Sequence, residues 1–375
     1  MQRLLVGLGL CALVLWGAWI RADTALADPN FDAHDARGML RSDPALLTYL
    51  TERILADGGG VPADFAAEAR IQHPFATDVP AEFPLGQEFL VAWTQRFLGG
   101  STPLHVTALW VMAVVAALAS VGLFLWARQA SGSLAWGALA ALLALWTPAN
   151  YRTIGFLLVG EDLSLTLFVL HLGWLAWAVR SGRAREYLLS GLCVAGALAT
   201  WHAASFVVTL ELGVVLLGCL AAGRSAFALP RSALVLVPPA LFGLAVPVLR
   251  ANGLLVSPAA ALSLALLAPE VVRRWRALSP AAGRLLMAAV LLVSLLGFGA
   301  LAPSSYAHVH QVVWAKLSHC GRFPDDPNTI SFDARLLWQG PFETLSVSGI
   351  LAWSGWPLAL LFALAVGLGL RRGAT

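Results

Sequence analysis

The sequence predicts an all-α polytopic membrane protein of about ten transmembrane helices with a helical extracytoplasmic first-loop domain. Three observations predict it. Hydrophobic residues make up 59% of the 375 and charged residues only 12%, whereas soluble domains hold roughly 25% charged residues. The apolar residues gather in ten runs close to the ~20 residues that carry a helix across hydrocarbon. The arginines fall on alternate connections between those runs, as the positive-inside rule requires. Four scattered cysteines, Cys11, Cys193, Cys219 and Cys320, exclude a disulfide framework and a zinc site, and no nucleic-acid partner is expected.

The first run, 4–20, ends in Trp16, Trp19 and Ile20, which suits a membrane anchor with an aromatic belt. Ala25-Leu26-Ala27 offers the other reading, a signal-peptide processing site. Residues 21–103 form a polar loop domain. The runs 104–127, 133–149, 163–179, 187–202, 204–222, 232–249, 253–268 and 284–302 build the bundle, interrupted by a short loop at 150–162. A late loop, 303–347, leads to the last span at 348–370 and a tail ending at residue 375. With the amino terminus in the cytoplasm, 13 of the 24 basic residues lie inside, with only Glu186 and Glu270 beside them. Shifting the register by one helix would place most of these arginines outside. An integral multi-pass protein of a bacterial inner membrane is expected, with the three polar loops on the extracytoplasmic side. Polar backbone outside helices needs protein or water around it, so an active site is expected where those loops meet.

In the first loop, Asp43-Pro44 opens a helical pattern with Leu46, Leu47, Leu50 and Ile54 on one face. Asp at a helix start followed by Pro is an ordinary cap, and it equally offers a carboxylate to a metal. The triple glycine 58–60 ends this helix, and residues 63–88, broken by Pro74, Pro80 and Pro84, are expected to be irregular and to lie along the membrane surface. The second loop ends in Glu161-Asp162 at the lip of the next span, with Arg152 the nearest partner in sequence. The dipole favours carboxylates there, while ionisable groups at that depth point to a metal or phosphate role. The third loop holds His308 and His310, two apart, either metal ligands or plain interfacial histidines, together with Lys316 and Arg335, either of which could meet a phosphate. Glu211 lies inside the sixth run, and His171 about nine residues into the fourth. A buried Glu there is either functional or structurally paired, and His171 reads as hydrogen-bonded within the bundle.

These motifs, in this order, resemble the catalytic subunit of oligosaccharyltransferases, within the GT-C class of membrane glycosyltransferases. D-P-x-x-x-x-Y-L-x-x-R-I at Asp43 to Ile54 looks like that family's first-loop acidic region. His73-Pro74 and Phe83-Pro84-Leu85-Gly86 are similar to its later Y-P and W-P-P elements. Tyr151-Arg152-Thr153-x-Gly155 with Glu161-Asp162 resembles its second acidic motif, Ala199-Thr200-Trp201 its A-x-W-G-G helix end, and Tyr306 to Gln311 stands where the family has S-E-H-Q. The resemblance spans roughly residues 30–315 and implies a GT-C-like fold. It also implies transfer of a sugar or oligosaccharide from a polyprenyl-phosphate or pyrophosphate donor to an extracytoplasmic acceptor, as in protein glycosylation. Mg²⁺ or Mn²⁺ would be held by Asp43, Glu161 and Asp162, with His308 or His310 as third-loop ligand and Arg152 near the phosphates. Two departures stand out: His308 or Val309 occupies the family's Glu position, and no counterpart of the soluble carboxy-terminal W-W-D-Y-G domain is present. A different acceptor, or a separate acceptor-binding subunit, is therefore expected. The hard oxygen donors fit a divalent cation on a phosphate leaving group, and no Gly-rich phosphate loop points to a soluble nucleotide sugar. The rival classes are a proton-coupled transporter using Glu211, against which no internal repeat or matched broken helices are seen, and a catalytically inactive membrane protein that binds a lipid-linked glycan.

Overall fold

The computed structural model describes residues 2–36, 38–40, 43–146, 158–222, 229–301, 314–315, 317–319, 322–330, 335 and 348. The chain divides into two compact units, one of 1–145 with 150–301 and one of 146–149 with 302–375. In the second unit the described residues include a 3-10 turn, Pro327–Thr329, whose backbone is tied by the Asp326 carboxylate accepting from the Asn328 N–H at 2.9 Å.

The first unit is almost wholly helical. Its opening helix α1, Gln2–Leu26, packs on α5, Leu104–Ser131, through Ala18, Ala22 and Ala25 against Leu109, Ala113 and Ala117. Alanines three and four residues apart share one face and let two helices approach closely. The helix therefore runs on past residue 20, and Ala25 of the A-x-A sequence is fully buried in this contact.

The first-loop domain follows. Helix α2, Asp43–Ala56, begins at the Asp-Pro pair and ends before the glycines, of which Gly58 and Gly59 take positive φ. Leu50 and Ile54 are its core face, packed with Phe65, Val79, Leu85 and Ala92. Thr48 and Thr51 are buried too, because each hydroxyl donates to the carbonyl one turn back, Pro44 O and Leu47 O, both at 2.7 Å. Residues 63–88 are not irregular. A 3-10 turn at Ala63–Ala67 leads into an antiparallel hairpin of β1, Glu68–Gln72, and β2, Phe75–Thr77, then a short helix α3, Val79–Glu82, and α4, Gly86–Phe97. The prolines punctuate these elements: Pro74 sits in the hairpin turn, Pro80 in the first turn of α3 capped by Asp78, and Pro84 between the two helices. A polar lock ties the hairpin to α2. Glu68, buried, accepts from Arg70 at 2.7 and 2.8 Å and from the Tyr49 hydroxyl at 2.8 Å, and the Arg70 guanidinium above all holds its carboxyl down to about 2.

The bundle continues with α6, Leu134–Trp146, α7, Gly160–Ser181, α8, Ala184–Leu198, α9, Ala204–Ala222, α10, Leu229–Ala245, α11, Pro247–Ala251, α12, Pro258–Arg273, and α13, Pro280–Leu301. Among the described residues five helices are long and apolar enough to cross a membrane: Leu4–Leu26, Leu104–Ser131, Gly160–Ser181, Ala204–Ala221 and Pro280–Leu301. The expected uninterrupted span 232–249 is a broken one. Val246, forced into extended geometry ahead of Pro247, bends the chain by 91° between Arg231–Ala245 and Pro247–Val256. The run expected at 253–268 is the helix Pro258–Arg273, which starts after a left-handed turn at Gly253 and a Ser257 cap. Helices α6, α8 and α12 are shorter than a straight span, and the expected run 348–370 lies outside the described residues apart from residue 348.

Close approach of backbones holds the bundle together. Pro238 and Pro239 inside α10 remove the donors that Leu234 O and Val235 O would use within the helix. Those two carbonyls face Gly191 of α8, where a Cβ would stand 2.6 and 2.7 Å from them. Glycine at 191 thus lets its Cα hydrogens approach carbonyl oxygens that the proline pair leaves short of donors.

Candidate functional site

Two acid-bearing helix starts meet one apolar cluster. Asp43 is the first residue of α2 and is exposed. One turn on, Leu47 packs against Val91, Ala108, Met112, Val115 and Leu158. Leu163, in the first turn of α7, packs against the same cluster. Glu161 and Asp162, immediately before it, are half-buried, and the Asp162 N–H donates to Val159 O at 3.1 Å. The cap residue of α7, Val159, has no polar side chain, and Glu161 and Asp162 stand in the first turn at the positive end of the helix. The cluster, drawn from α2, α4, α5 and α7, therefore anchors the helix starts of the first and second loops one turn from their carboxylates.

The turn between α8 and α9 is the second anchor. It begins where Ala199-Thr200-Trp201 ends α8. The Gly86 N–H at the start of α4 donates to Ala199 O at 3.0 Å, and a Cβ at Gly86 would lie 2.7 Å from Thr200 Cγ2 and 2.8 Å from Ala199 O. Gly160 at the start of α7 leans on the same turn, with its Cβ position 3.1 Å from Thr200 O. Phe83 meets His202 edge-on at 6.4 Å between ring centroids. The Phe83 to Gly86 motif is thereby placed on the same turn that meets the start of α7, and a side chain at 86 would collide with Ala199 and Thr200 there.

Sequence reasoning passed over Gln87 and Glu88. Both are buried, and Gln87 Oε1, Gln87 Nε2 and Glu88 Oε2 have no hydrogen-bond partner among the described residues. Two polar residues directly after the Pro-Leu-Gly stop, at the head of a 3.6-residue apolar pattern, are the signal that marks them. Desolvation pushes the Glu88 carboxyl up to about 8, so the folded protein binds a proton that the unfolded chain releases near 4.5. The folded-state value lies above the unfolded one, so stability falls as the pH rises from about 4.5 to about 8 and is level above that. Chemical denaturation of the parent and of Glu88→Gln is expected to differ across this range by the slope of one proton taken up on folding.

The remaining candidates lie elsewhere. Glu211, half-buried, lies within hydrogen-bond distance of His171, 2.7 Å from Oε1 to Nε2, so the two residues read separately in the sequence form one pair, set within α7 and α9 and apart from the helix starts. Arg335, in the second unit, donates to Asn328 Oδ1 at 3.2 Å. Arg152, His308, His310 and Lys316 lie outside the described residues. Among the described residues, Asp43, Glu161 and Asp162 included, no three His, Cys, Asp or Glu side chains form a metal-holding group. No protein-family model matches the chain, and no curated protein matches it.

Proposed function

We propose that the chain is a membrane glycosyltransferase that moves a sugar or oligosaccharide from a polyprenyl-phosphate or pyrophosphate donor to an extracytoplasmic acceptor. The observation that carries this reading is the anchoring of the Asp43 and Glu161-Asp162 helix starts on one apolar cluster, with the polar loop domain seated beside them. The three carboxylates are exposed or half-buried at helix N-termini, and such hard oxygen donors suit Mg²⁺ or Mn²⁺. When bound, the cation would neutralise the charge that develops on the phosphate as the anomeric carbon–oxygen bond breaks. Asp43, Glu161 and Asp162, which form no metal-holding group in this structure, would have to converge to hold it; His308 or His310 as a further ligand, and Arg152, Lys316 and Arg335 as cations for donor phosphate, are what the sequence offers. Membrane lipid surrounds the bundle and delivers the donor from the side, and a separate subunit would select the acceptor.

The test uses the full-length protein in lipid nanodiscs with polyprenyl-linked sugar donors and a panel of sugar, lipid and peptide acceptors. Transfer is expected to stop on chelation and to return with Mg²⁺ or Mn²⁺. Transfer indifferent to chelation would remove the cation from the reading. Failure of every polyprenyl-linked donor to turn over would remove the enzyme.

A further inference from the structure

Away from the helix starts, α7, α8, α9, α10 and α12 enclose a cavity of 360 Å³. Its walls are hydrocarbon, Leu175, Val208, Leu212, Val235 and Leu254 among them, apart from His171, Glu211, Ser232 and Ser263. Val237, Leu255 and Leu264 line it and are also exposed, so it communicates with the lipid-facing surface of α10 and α12. Ser263 is already used by its own helix, donating to Ala259 O at 2.8 Å.

The hydrogen bonds of the pair fix what the cavity offers. His171 Nδ1 lies 3.1 Å from Ser190 O and 2.8 Å from Ser190 Oγ. We assign the proton to Nδ1 because the Ser190 carbonyl can only accept, and the Ser190 hydroxyl then donates to His171 O at 3.4 Å. The 2.7 Å contact between His171 Nε2 and Glu211 Oε1 needs one further proton, which either atom can hold. In both arrangements the pair is neutral overall. In both, Glu211 Oε2 carries no proton and is an acceptor, either as a carboxylate oxygen or as the carbonyl of the acid. Glu211 has no other hydrogen bond among the described residues and lines the cavity.

We infer that this cavity binds a single-chain lipid alcohol, with the hydroxyl donating to Glu211 Oε2 and the hydrocarbon chain leaving between α10 and α12. Chain and wall match in polarity, and the Glu211 acceptor calls for a donor. An amine would bring a positive charge to a neutral pair inside hydrocarbon, where unpaired charge is costly; a hydroxyl brings none. The site is independent of the carboxylates assigned to sugar transfer, and its failure leaves that assignment where it was.

The experiment photolabels the full-length protein in nanodiscs with a long-chain alcohol bearing a diazirine, mapped by mass spectrometry. Saturable labelling on α9, α10 and α12 is expected, displaced by the parent alcohol and about tenfold less well by its methyl ether, the effect of one hydrogen bond. Leu264→Trp at the exposed mouth is expected to block labelling without lowering the melting temperature. Glu211→Gln, whose amide N–H can serve His171 while its carbonyl faces the cavity, is expected to retain binding, and Glu211→Leu to lose it about tenfold. Equal displacement by alcohol and ether, preference for the long-chain amine, or labelling unaltered by Leu264→Trp would overturn the proposal. The ether comparison on the unmodified protein decides the matter even if Glu211→Leu fails to fold.

Discussion

Asp162→Ala is expected to lower glycosyl transfer by about 10²–10³-fold, the scale of losing one group that stabilises developing charge. Asp43→Ala is expected to do the same, although it lies on another helix, 119 residues earlier. A residue that only closed its own helix would behave differently: loss of an N-terminal cap costs about 1 kcal/mol of stability and leaves the chemistry alone. The informative measurement is the double variant. Side chains serving one cation act as a unit, so Asp43→Ala with Asp162→Ala should lose little more than either alone, whereas independent roles would multiply. Melting temperatures of all three variants should stay within a few degrees of the parent. Undiminished transfer by both single variants would dissolve the site.

The largest structural effect is expected at the crossing of α5 and α7. A Cβ on Gly122 would stand 2.5 Å from Val169 O, and one on Gly173 would stand 2.6 Å from Gly122 O and 3.0 Å from Gly122 Cα. These are backbone atoms of the facing helix, so no rotamer change can relieve the overlap, and the two helices must separate. Overpacking of this kind costs roughly 1–3 kcal/mol, and more when the backbone has to move. In membranes, where lipid is as apolar as the side chains, such close contacts are a principal source of helix affinity. Gly173→Val is expected to sit at or above the top of that range and to lower the melting temperature of the purified protein markedly. Gly213→Ala, where nothing lies within 4 Å of the added methyl, should leave it unchanged. Because α7 carries Glu161 and Asp162 at its start, Gly173→Val should depress transfer as well. A melting temperature equal to that of Gly213→Ala would show that the two helices do not meet at this crossing.

Several features were legible residue by residue. Apolar runs marked α5, α7, α9 and α13 because a spanning helix must be apolar along its whole length, and the Asp43-Pro44 pair marked the start of α2 because cap chemistry is local. The bend at Val246 could have been read from the proline that follows it. Helix α4 was missed because its apolar face is short and interrupted by Gln87 and Glu88, and the hairpin because Glu68 is held by Arg70 and Tyr49, a pairing that no periodicity reports.

By itself, the sequence determined the helical class, the apolar helices able to cross a membrane and which carboxylates begin helices, since each depends on neighbours a few residues away. Only the tertiary structure decided that Leu47 and Leu163 share one cluster, that Gly86 and Gly160 lean on one turn, and that His171 meets Glu211, 40 residues along the chain. The reason is physical. A helix start, a cap or an apolar stripe is fixed by local hydrogen bonding and hydropathy, whereas the choice of partner depends on where small residues let backbones come together, and that follows from the packing of all the helices at once.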